Sequence, residues 1–169
     1  MKRLTLVRHA HAKVKYVVTD FERPLSRRGK TEAKETALAF LKQGLVPDLL
    51  LASPAKRTAQ TAEILAGELK VPARHVLRDE LLYLASADVL LSAIQATGPR
   101  IEHLMIIGHN PGISVLASAF APGAELGEFT TAAACTLEFE ARTWSAVNVG
   151  SAKTAERNGR ASFLFGFFD

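Results

Sequence analysis

The sequence contains a single cysteine, Cys135, among its 169 residues. One cysteine cannot form a disulfide within the chain, and the apolar neighbours of Cys135 in AAACTLEF predict a buried, unreactive thiol. Small proteins of oxidising compartments commonly rely on disulfides, whereas proteins of the reducing cytoplasm need none. We therefore expect a cytoplasmic protein.

Long hydrophobic runs are absent as well, and no apolar run is long enough to cross a bilayer. Near the start, MKRLTLVRHAHAKVK interrupts its apolar stretch with Arg8 and His9 after four residues, so it lacks the apolar core of a signal peptide. With 48% hydrophobic and 22% charged residues, residues 1–169 are expected to fold as one domain without a membrane partner.

Aromatic residues make up only 7% of the sequence. The 21 Lys and Arg residues exceed the 17 Asp and Glu residues, which gives a formal net charge of +4. A surface that binds single-stranded nucleic acid interleaves basic with aromatic residues, and no segment of this sequence does so. Scattered surface charge is the simpler interpretation, and we expect no nucleic-acid partner.

Short apolar runs alternate with amphipathic segments along most of the chain. The apolar runs predict buried strands near residues 4–7, 48–52, 75–77 and 104–107. Capping and stop residues predict helices within residues 26–44, 53–69, 86–94 and 112–120. Strands that alternate with helices form parallel crossover units, so this part of the chain predicts a parallel sheet covered by helices.

The pattern changes beyond Gly127. Residues 132–139, 145–149 and 162–168 are predicted to be extended, and the polar residues 151–160 to form a turn or loop. The predicted fold class is therefore α/β. We expect a three-layer α/β/α sandwich whose central sheet is mostly parallel, with antiparallel strands toward the C-terminus.

Polar residues follow the ends of the predicted strands. Arg8 and His9 end the first strand, Arg57 follows the second, Glu80 follows the third and His109 ends the fourth. Ligands of open α/β sheets bind beyond the carboxyl ends of the strands. We therefore expect these five side chains to converge on one crevice.

Two arginines, two histidines and a carboxylate suit phosphoryl transfer. The planar fork of arginine binds phosphate oxygens in pairs and stays charged. A neutral imidazole is a competent nucleophile when an acceptor holds its far nitrogen, and we assign that role to His9. His109 precedes Asn110, a predicted N-cap, and Pro111, a predicted first helical residue, so it would donate a hydrogen bond to phosphate beside a helix N-terminus.

Five stretches of the sequence resemble the histidine phosphatase superfamily in the order expected for it. They are LTLVRHAHA, FERPLSRRG, LLLASPAKRTAQTAEIL, DELLYLAS and IIGHNPGI, which together cover residues 3 to about 120. The set is similar to the branch that contains bacterial phosphohistidine phosphatases of the SixA type. Ala10 stands where the common Arg-His-Gly triplet has glycine, and alanine is frequent in this branch. The resemblance implies a phosphoglycerate mutase-like fold.

The resemblance also implies a role for each matching residue. His9 becomes phosphorylated, Arg8 is its neighbouring phosphate ligand, and Arg57 and His109 complete the phosphate pocket. Glu80 matches the carboxylic acid that protonates the leaving group.

Two further points of the resemblance concern Asp79 and Arg23. Asp79 is adjacent to Glu80, and the sequence does not separate the two as proton donor. Arg23, in the ERPL stretch, matches a position near the pocket that helps to bind substrate. No metal and no cofactor are implied.

The short spacing between the motifs leaves little room for segments that close over a small substrate, so we expect an open pocket. Such a pocket admits a phosphohistidine on a protein surface, whose phosphorus–nitrogen bond needs less help from an acid than an ester does. We therefore interpret the chain as a phosphohistidine phosphatase acting on a protein. The alternative within the same superfamily is a phosphatase acting on a small phosphorylated metabolite.

Three other hypotheses differ in class. His9 and His11 form a His-x-His pair, which with His109 suggests a metal hydrolase, although Arg8 would repel a cation. A module that binds a phosphorylated ligand without turnover is a second hypothesis, against which the intact His9 argues. A transferase or mutase that passes the phosphoryl group to another acceptor would share the same intermediate.

Overall fold

The computed structural model describes residues 1–14 and 18–159. The strands of this part are β1 (Lys2–Arg8), β2 (Leu49–Ala52), β3 (Val76–Arg78), β4 (His103–Gly108), β5 (Ala133–Phe139) and β6 (Thr154–Gly159). The helices are α1 (Arg27–Lys42), α2 (Lys56–Leu69), α3 (Ala87–Gln95) and α4 (Gly112–Phe120), with 3-10 turns at Ala73–His75, Glu80–Leu82 and Trp144–Ala146. No helix in these two ranges has the length and apolar character needed to cross a membrane.

The six strands form one mixed sheet in the order β3-β2-β4-β1-β5-β6. β1, β2, β3 and β4 are parallel, and β5 and β6 are antiparallel to their neighbours. The predicted α/β fold class, with antiparallel strands added toward the C-terminus, is confirmed. Because β1, β2 and β4 are adjacent and parallel, their carboxyl ends meet at one edge of the sheet.

Two apolar layers cover the two faces of the sheet. Along β4, Leu104 and Ile106 pack with residues of α3 and α4, whereas Met105 and Ile107 pack with residues of α1 and α2. Alternate side chains of a strand point to opposite faces, so a run that is apolar throughout is buried on both sides. This explains why residues 104–107 of β4 are all apolar.

Two glycines let helices approach the segments around the sheet edge. A Cβ atom on Gly29, in the first turn of α1, would lie 2.0 Å from the carbonyl oxygen of His11. A Cβ atom on Gly112, the first residue of α4, would lie 2.1 Å from the carbonyl oxygen of Ala85. Any other residue would push α1 away from the segment after β1, or α4 away from the segment after Glu80–Leu82.

The chain after β5 differs from the prediction. Residues 154–159, predicted as part of a loop, form the edge strand β6, and the predicted strand at 145–149 is replaced by the 3-10 turn Trp144–Ala146 and a loop. An edge strand needs one hydrogen-bonded neighbour and tolerates polar residues, so hydrophobicity did not reveal β6. Trp144 is fully buried and donates from Nε1 to the carbonyl oxygen of Ile101 at 2.7 Å, which draws its segment inward. The predicted strand at 162–168 lies outside the described residues.

The start of α4 also differs in detail. Pro111 is the N-cap of α4, and the Asn110–Pro111 peptide bond is cis. The Asn110 side chain donates to the carbonyl oxygen of Phe129 at 2.9 Å and accepts from the Ser114 hydroxyl at 2.7 Å. Asn110 was therefore predicted wrongly as the N-cap, because its side chain binds across to the segment before β5.

Candidate active site

His9 lies directly after β1, at the edge where the parallel strands end. Its backbone N–H donates to the carbonyl oxygen of Gly108, the last residue of β4. Its Nδ1 lies 2.8 Å from the carbonyl oxygen of Ala10, and its Nε2 lies 3.3 Å from Nε of Arg57. A carbonyl oxygen only accepts, so Nδ1 carries the proton and Nε2 keeps its lone pair. The nitrogen that faces the crevice is thus the unprotonated one.

Arg57, in the first turn of α2, is buried and presents two edges of its guanidinium to different partners. The edge formed by Nε and Nη2 faces both histidines, because Nε donates to His9 Nε2 and Nη2 lies 3.2 Å from Nδ1 of His109. The edge formed by Nη1 and Nη2 faces Asp20, with 2.7 Å to its carbonyl oxygen and 3.0 Å to its carboxylate. The first edge can bind two oxygens of a phosphoryl group at His9.

His109 follows β4, and its ring centroid lies 5.4 Å from that of His9. Its Nε2 lies 2.8 Å from the buried hydroxyl of Ser53, and its Nδ1 faces Nη2 of Arg57. Since Arg57 only donates, Nδ1 accepts from Nη2, and the imidazole proton is on Nε2, which donates to the Ser53 hydroxyl. An anionic oxygen placed beside Nη2 accepts from Arg57, and it accepts from Nδ1 as well when the Ser53 hydroxyl donates to Nε2 instead.

Both histidines are held neutral. Burial, followed by the charges of Arg57 and Arg8, lowers the pKa of His9 from 6.5 to about 4 despite its hydrogen bond to Ala10, which raises it. Burial and then the charge of Arg57 lower the pKa of His109 from 6.5 to about 3. Around neutral pH, His9 therefore has the lone pair that nucleophilic attack requires.

Arg8 and Arg23 lie beside His9, Arg57 and His109. Arg8, the last residue of β1, donates from Nη1 to the carbonyl oxygen of Phe129 at 2.6 Å, and its buried Nε has no hydrogen-bond partner among the described residues. Arg23 donates from Nε to Asp20 and from Nη1 to the carbonyl oxygen of Lys13, both at 3.1 Å. Both arginines add positive charge near His9.

Glu80 and Asp79 lie farther out in the fold. Glu80 is exposed at the start of the 3-10 turn Glu80–Leu82, and no hydrogen bond or ion pair joins its side chain to the histidines. Asp79 caps that turn by accepting from the backbone N–H of Leu81 at 2.9 Å. The structure thus brings together His9, Arg57 and His109, and it leaves Glu80 outside their hydrogen-bond network.

Three residues of this network were missed by sequence reasoning: Ser53, Asp20 and Tyr83. The Tyr83 hydroxyl donates to the Asp20 carboxylate at 2.8 Å, and the Tyr83 ring packs edge-on against His109 with centroids 5.6 Å apart. Burial favours the neutral form of Asp20, but its hydrogen bond from Tyr83 and the charge of Arg57 outweigh this and lower its pKa to about 2. Tyr83 lies within the DELLYLAS motif, which was the available signal for it.

His11 does not share the surroundings of His9. Its Nδ1 lies 2.7 Å from the hydroxyl of Ser26, the N-cap of α1, and its backbone N–H donates to the Glu32 carboxylate at 3.0 Å. Within residues 1–14 and 18–159, no group of three or more His, Cys, Asp or Glu residues is arranged to hold a metal ion.

Two histidines and two arginines thus lie together at the carboxyl edge of a mixed α/β sheet, an arrangement suited to phosphoryl transfer. The model of the histidine phosphatase superfamily (branch 1) matches residues 4–81. The uncharacterized protein Rv1276c of Mycobacterium tuberculosis is 33% identical over 116 residues, which cover 68% of this chain and 70% of that protein. This chain belongs to the histidine phosphatase superfamily.

Solved structures agree with this membership. A candidate phosphohistidine phosphatase SixA from Agrobacterium tumefaciens is 27% identical, with a TM-score of 0.76 over 82% of this chain and 92% of that one. The protein histidine phosphatase SixA complexed with tungstate is 22% identical, with a TM-score of 0.80 over 95% and 99% of the two chains. The mycobacterial glucosyl-3-phosphoglycerate phosphatase Rv2419c is 16% identical, with a TM-score of 0.66 over 94% and 98%. The fold is thus phosphoglycerate mutase-like, and membership of the histidine phosphatase superfamily supports a phosphatase.

Proposed function

We propose that this chain is a metal-independent cytoplasmic phosphatase that removes phosphate from phosphohistidine on a protein, through a phosphorylated His9. The observation that carries the proposal is the orientation of His9. Its Nδ1 is tied to the carbonyl oxygen of Ala10 while Nε2 faces Arg57 and His109. This arrangement supplies a nucleophile and, around it, donors for the oxygens of the transferring group.

The reaction then has two steps. Nε2 of His9 attacks phosphorus, the phosphorus–nitrogen bond of the substrate breaks, and the departing imidazole takes a proton from solvent. The Ala10 carbonyl accepts a hydrogen bond from Nδ1–H throughout and stabilises the positive charge that the ring of His9 gains. Water then attacks phosphorus, inorganic phosphate leaves, and the electron pair returns to Nε2. In both steps Arg57, Arg8 and His109 hold the phosphoryl oxygens.

The choice of a phosphohistidine substrate rests on the leaving group. An alkoxide leaving group needs a proton as it departs, whereas an imidazole departs with little help. The carboxylate of Glu80 is exposed and lies outside the network of His9 and His109. The likeness to SixA phosphatases favours the same substrate, while the likeness to a glucosyl-3-phosphoglycerate phosphatase favours a small phosphorylated metabolite as the second candidate.

Measuring phosphate release tests the proposed nucleophile, His9, and the proposed metal independence in one experiment. Release from a phosphohistidine protein is measured with and without EDTA for wild type, His9→Gln and His11→Gln. His11→Gln is the matched control, because His11 belongs to the His-x-His pair but bonds to Ser26. We expect EDTA-resistant release that persists in His11→Gln and vanishes in His9→Gln. Release that EDTA abolishes would identify a metal hydrolase, and binding without release would identify a non-catalytic module.

The substrate class needs a second measurement. Values of kcat/KM for a phosphohistidine protein are compared with those for an aryl phosphate and a phosphorylated sugar acid. We expect the phosphohistidine protein to be preferred. A clear preference for either small ester would move the assignment to a metabolite phosphatase with the same His9 chemistry.

A further inference from the structure

Asp20 places a carboxylate beside the arginines of the proposed phosphate site. Its Oδ2 accepts from Nη2 of Arg57 at 3.0 Å and from the Tyr83 hydroxyl at 2.8 Å. Its Oδ1 accepts from Nε of Arg23 at 3.1 Å, and its carbonyl oxygen accepts from Nη1 of Arg57 at 2.7 Å. One residue therefore joins two arginines and a tyrosine of the crevice.

The two edges of the Arg57 guanidinium separate the role of Asp20 from that of the phosphoryl group. Asp20 engages the edge formed by Nη1 and Nη2. The edge formed by Nε and Nη2 remains directed at His9 and His109. Because the guanidinium is planar and rigid, holding the edge formed by Nη1 and Nη2 sets the direction of the edge formed by Nε and Nη2.

A carboxylate near a phosphoryl group would ordinarily weaken binding by charge repulsion. Here both oxygens of Asp20 are already bonded, and two of their three donors are arginines. The ion pairs with Arg57 and Arg23 offset much of the negative charge that a phosphoryl group would otherwise meet. Asp20 therefore contributes to the site by fixing the orientation of Arg57.

We propose that Asp20 is a positioning residue, which holds Arg57 so that its Nε and Nη2 meet the phosphoryl group on His9. Tyr83 and Arg23 hold Asp20 in turn. This proposal rests on the proposed function, because it assigns Asp20 a part in the same phosphoryl transfer. The rival is that Asp20 competes with phosphate for Arg57, in which case removing its charge would improve catalysis.

Asp20→Asn separates the two readings, because it keeps the size of the side chain and removes its charge. Asp88→Asn, at an exposed position in the first turn of α3, is the matched control. We expect kcat with a phosphohistidine protein to fall about ten- to a hundredfold in Asp20→Asn, as misplaced catalytic groups typically cost. KM should change much less, and Asp88→Asn should match wild type. An unchanged or higher kcat with a lower KM would overturn the proposal.

Tyr83→Phe provides a second variant, since it keeps the ring contacts with His109 and removes only the hydroxyl bonded to Asp20. We expect kcat to fall in the same direction as in Asp20→Asn and by a smaller factor. A rate equal to wild type in both variants would contradict the positioning role.

Vanadate binding keeps this test apart from the test of the proposed function. Vanadate adopts the five-coordinate geometry of a transferring phosphoryl group, and its affinity is measured by calorimetry without any turnover. If wild type released no phosphate, the proposed function would fail while the positioning of Arg57 would still be measured. Weaker vanadate binding in Asp20→Asn than in wild type supports that positioning, and equal or tighter binding overturns it.

Discussion

The two ends of β4 each carry a buried histidine, His103 at the start and His109 just past the end. Both rings have Nε2 at 2.8 Å from a hydroxyl, that of Thr5 for His103 and that of Ser53 for His109. Burial is the largest cause that lowers the pKa of each, to about 4 for His103 and about 3 for His109. By burial, hydroxyl partner and pKa alone, the two histidines look alike.

Their second nitrogens differ. Nδ1 of His103 lies 3.1 Å from the carbonyl oxygen of Val46, which completes its hydrogen bonds. Nδ1 of His109 faces Arg57 and the crevice that also receives Nε2 of His9. A perturbed pKa is therefore not by itself the mark of a functional site. What distinguishes His109 is a ring nitrogen that faces the same crevice as Nε2 of His9, with arginines around it.

The largest effect should come from replacing the proposed nucleophile. In His9→Gln, kcat should fall by about a thousandfold or more, since the residue proposed to form the covalent intermediate is gone. In His103→Gln, the free energy of unfolding should fall while kcat per folded molecule stays near that of wild type. Steady-state kinetics and denaturant titration of both variants measure this. Comparable kcat losses in the two would erase the distinction between the ends of β4.

The second largest effect is expected from replacing Arg57, the buried arginine of the crevice. Arg57→Lys should lower kcat about 10²- to 10³-fold, because a point charge cannot replace the paired donors of the guanidinium edge. The matched control is Arg78→Lys, since Arg78 forms an exposed ion pair with Glu63. Exposed pairs contribute little, so that variant should keep its rate. A mild effect of Arg57→Lys would show that charge, and not geometry, is what the site needs from this residue.

Removing the hydroxyl partner of His109 should affect the rate, whereas removing that of His103 should affect the stability. Ser53→Ala should lower kcat about tenfold, because Nε2 of His109 loses the hydroxyl that holds its ring in place. Thr5→Val should leave kcat unchanged and lower the free energy of unfolding by about 1–3 kcal/mol, the cost of an unpaired buried polar group. Kinetics and urea unfolding of the same two proteins provide the comparison. An activity loss in Thr5→Val would link His103 to catalysis.

Histidine titration followed by NMR should sharpen the contrast. In the free protein His9, His103 and His109 should all titrate well below 6.5. Adding vanadate should raise the pKa of His9 and His109, because an anion favours the charged ring, and should leave His103 unmoved. The folded state binds fewer protons than the unfolded state between pH 6.5 and about 4, so the free energy of unfolding should fall as pH falls through that window. A vanadate shift as large for His103 would contradict the account.

The smallest effect is expected at Glu80, whose role as acid stays a prediction. Glu80→Gln should leave release from phosphohistidine and aryl phosphate within about twofold of wild type and should slow alkyl phosphates more, because basic leaving groups need a proton. A leaving-group series with both proteins measures this. Equal losses across the series would remove Glu80 from the role of acid.

Local patterns in the sequence predicted the elements that build the sheet edge. Strand runs and capping residues such as Ser26 and Ser86 gave α1, α3 and the parallel strands, since these signals lie within a few residues of the structure they specify. The convergence of His9, Arg57 and His109 followed from parallel strands whose carboxyl ends meet at one edge.

What the sequence did not reveal depends on contacts between distant segments. Asp20 and Tyr83 are 63 positions apart, and their hydrogen bond forms only when the fold brings their two segments together. The contact between Ser53 and His109 spans 56 positions, so no local pattern indicates it. No motif surrounds His103 either, and its burial in a central strand, where Thr5 and Val46 satisfy its ring, depends on contacts across the sheet.

The most direct test of the central claim is to trap the intermediate. A phosphohistidine protein labelled with radioactive phosphate is mixed with excess enzyme, quenched within one turnover, digested and mapped. The account predicts acid-labile, base-stable label on the peptide that contains His9, appearing before free phosphate and then decaying into it. Release of phosphate without labelled enzyme at any time, or label on another residue, would contradict it.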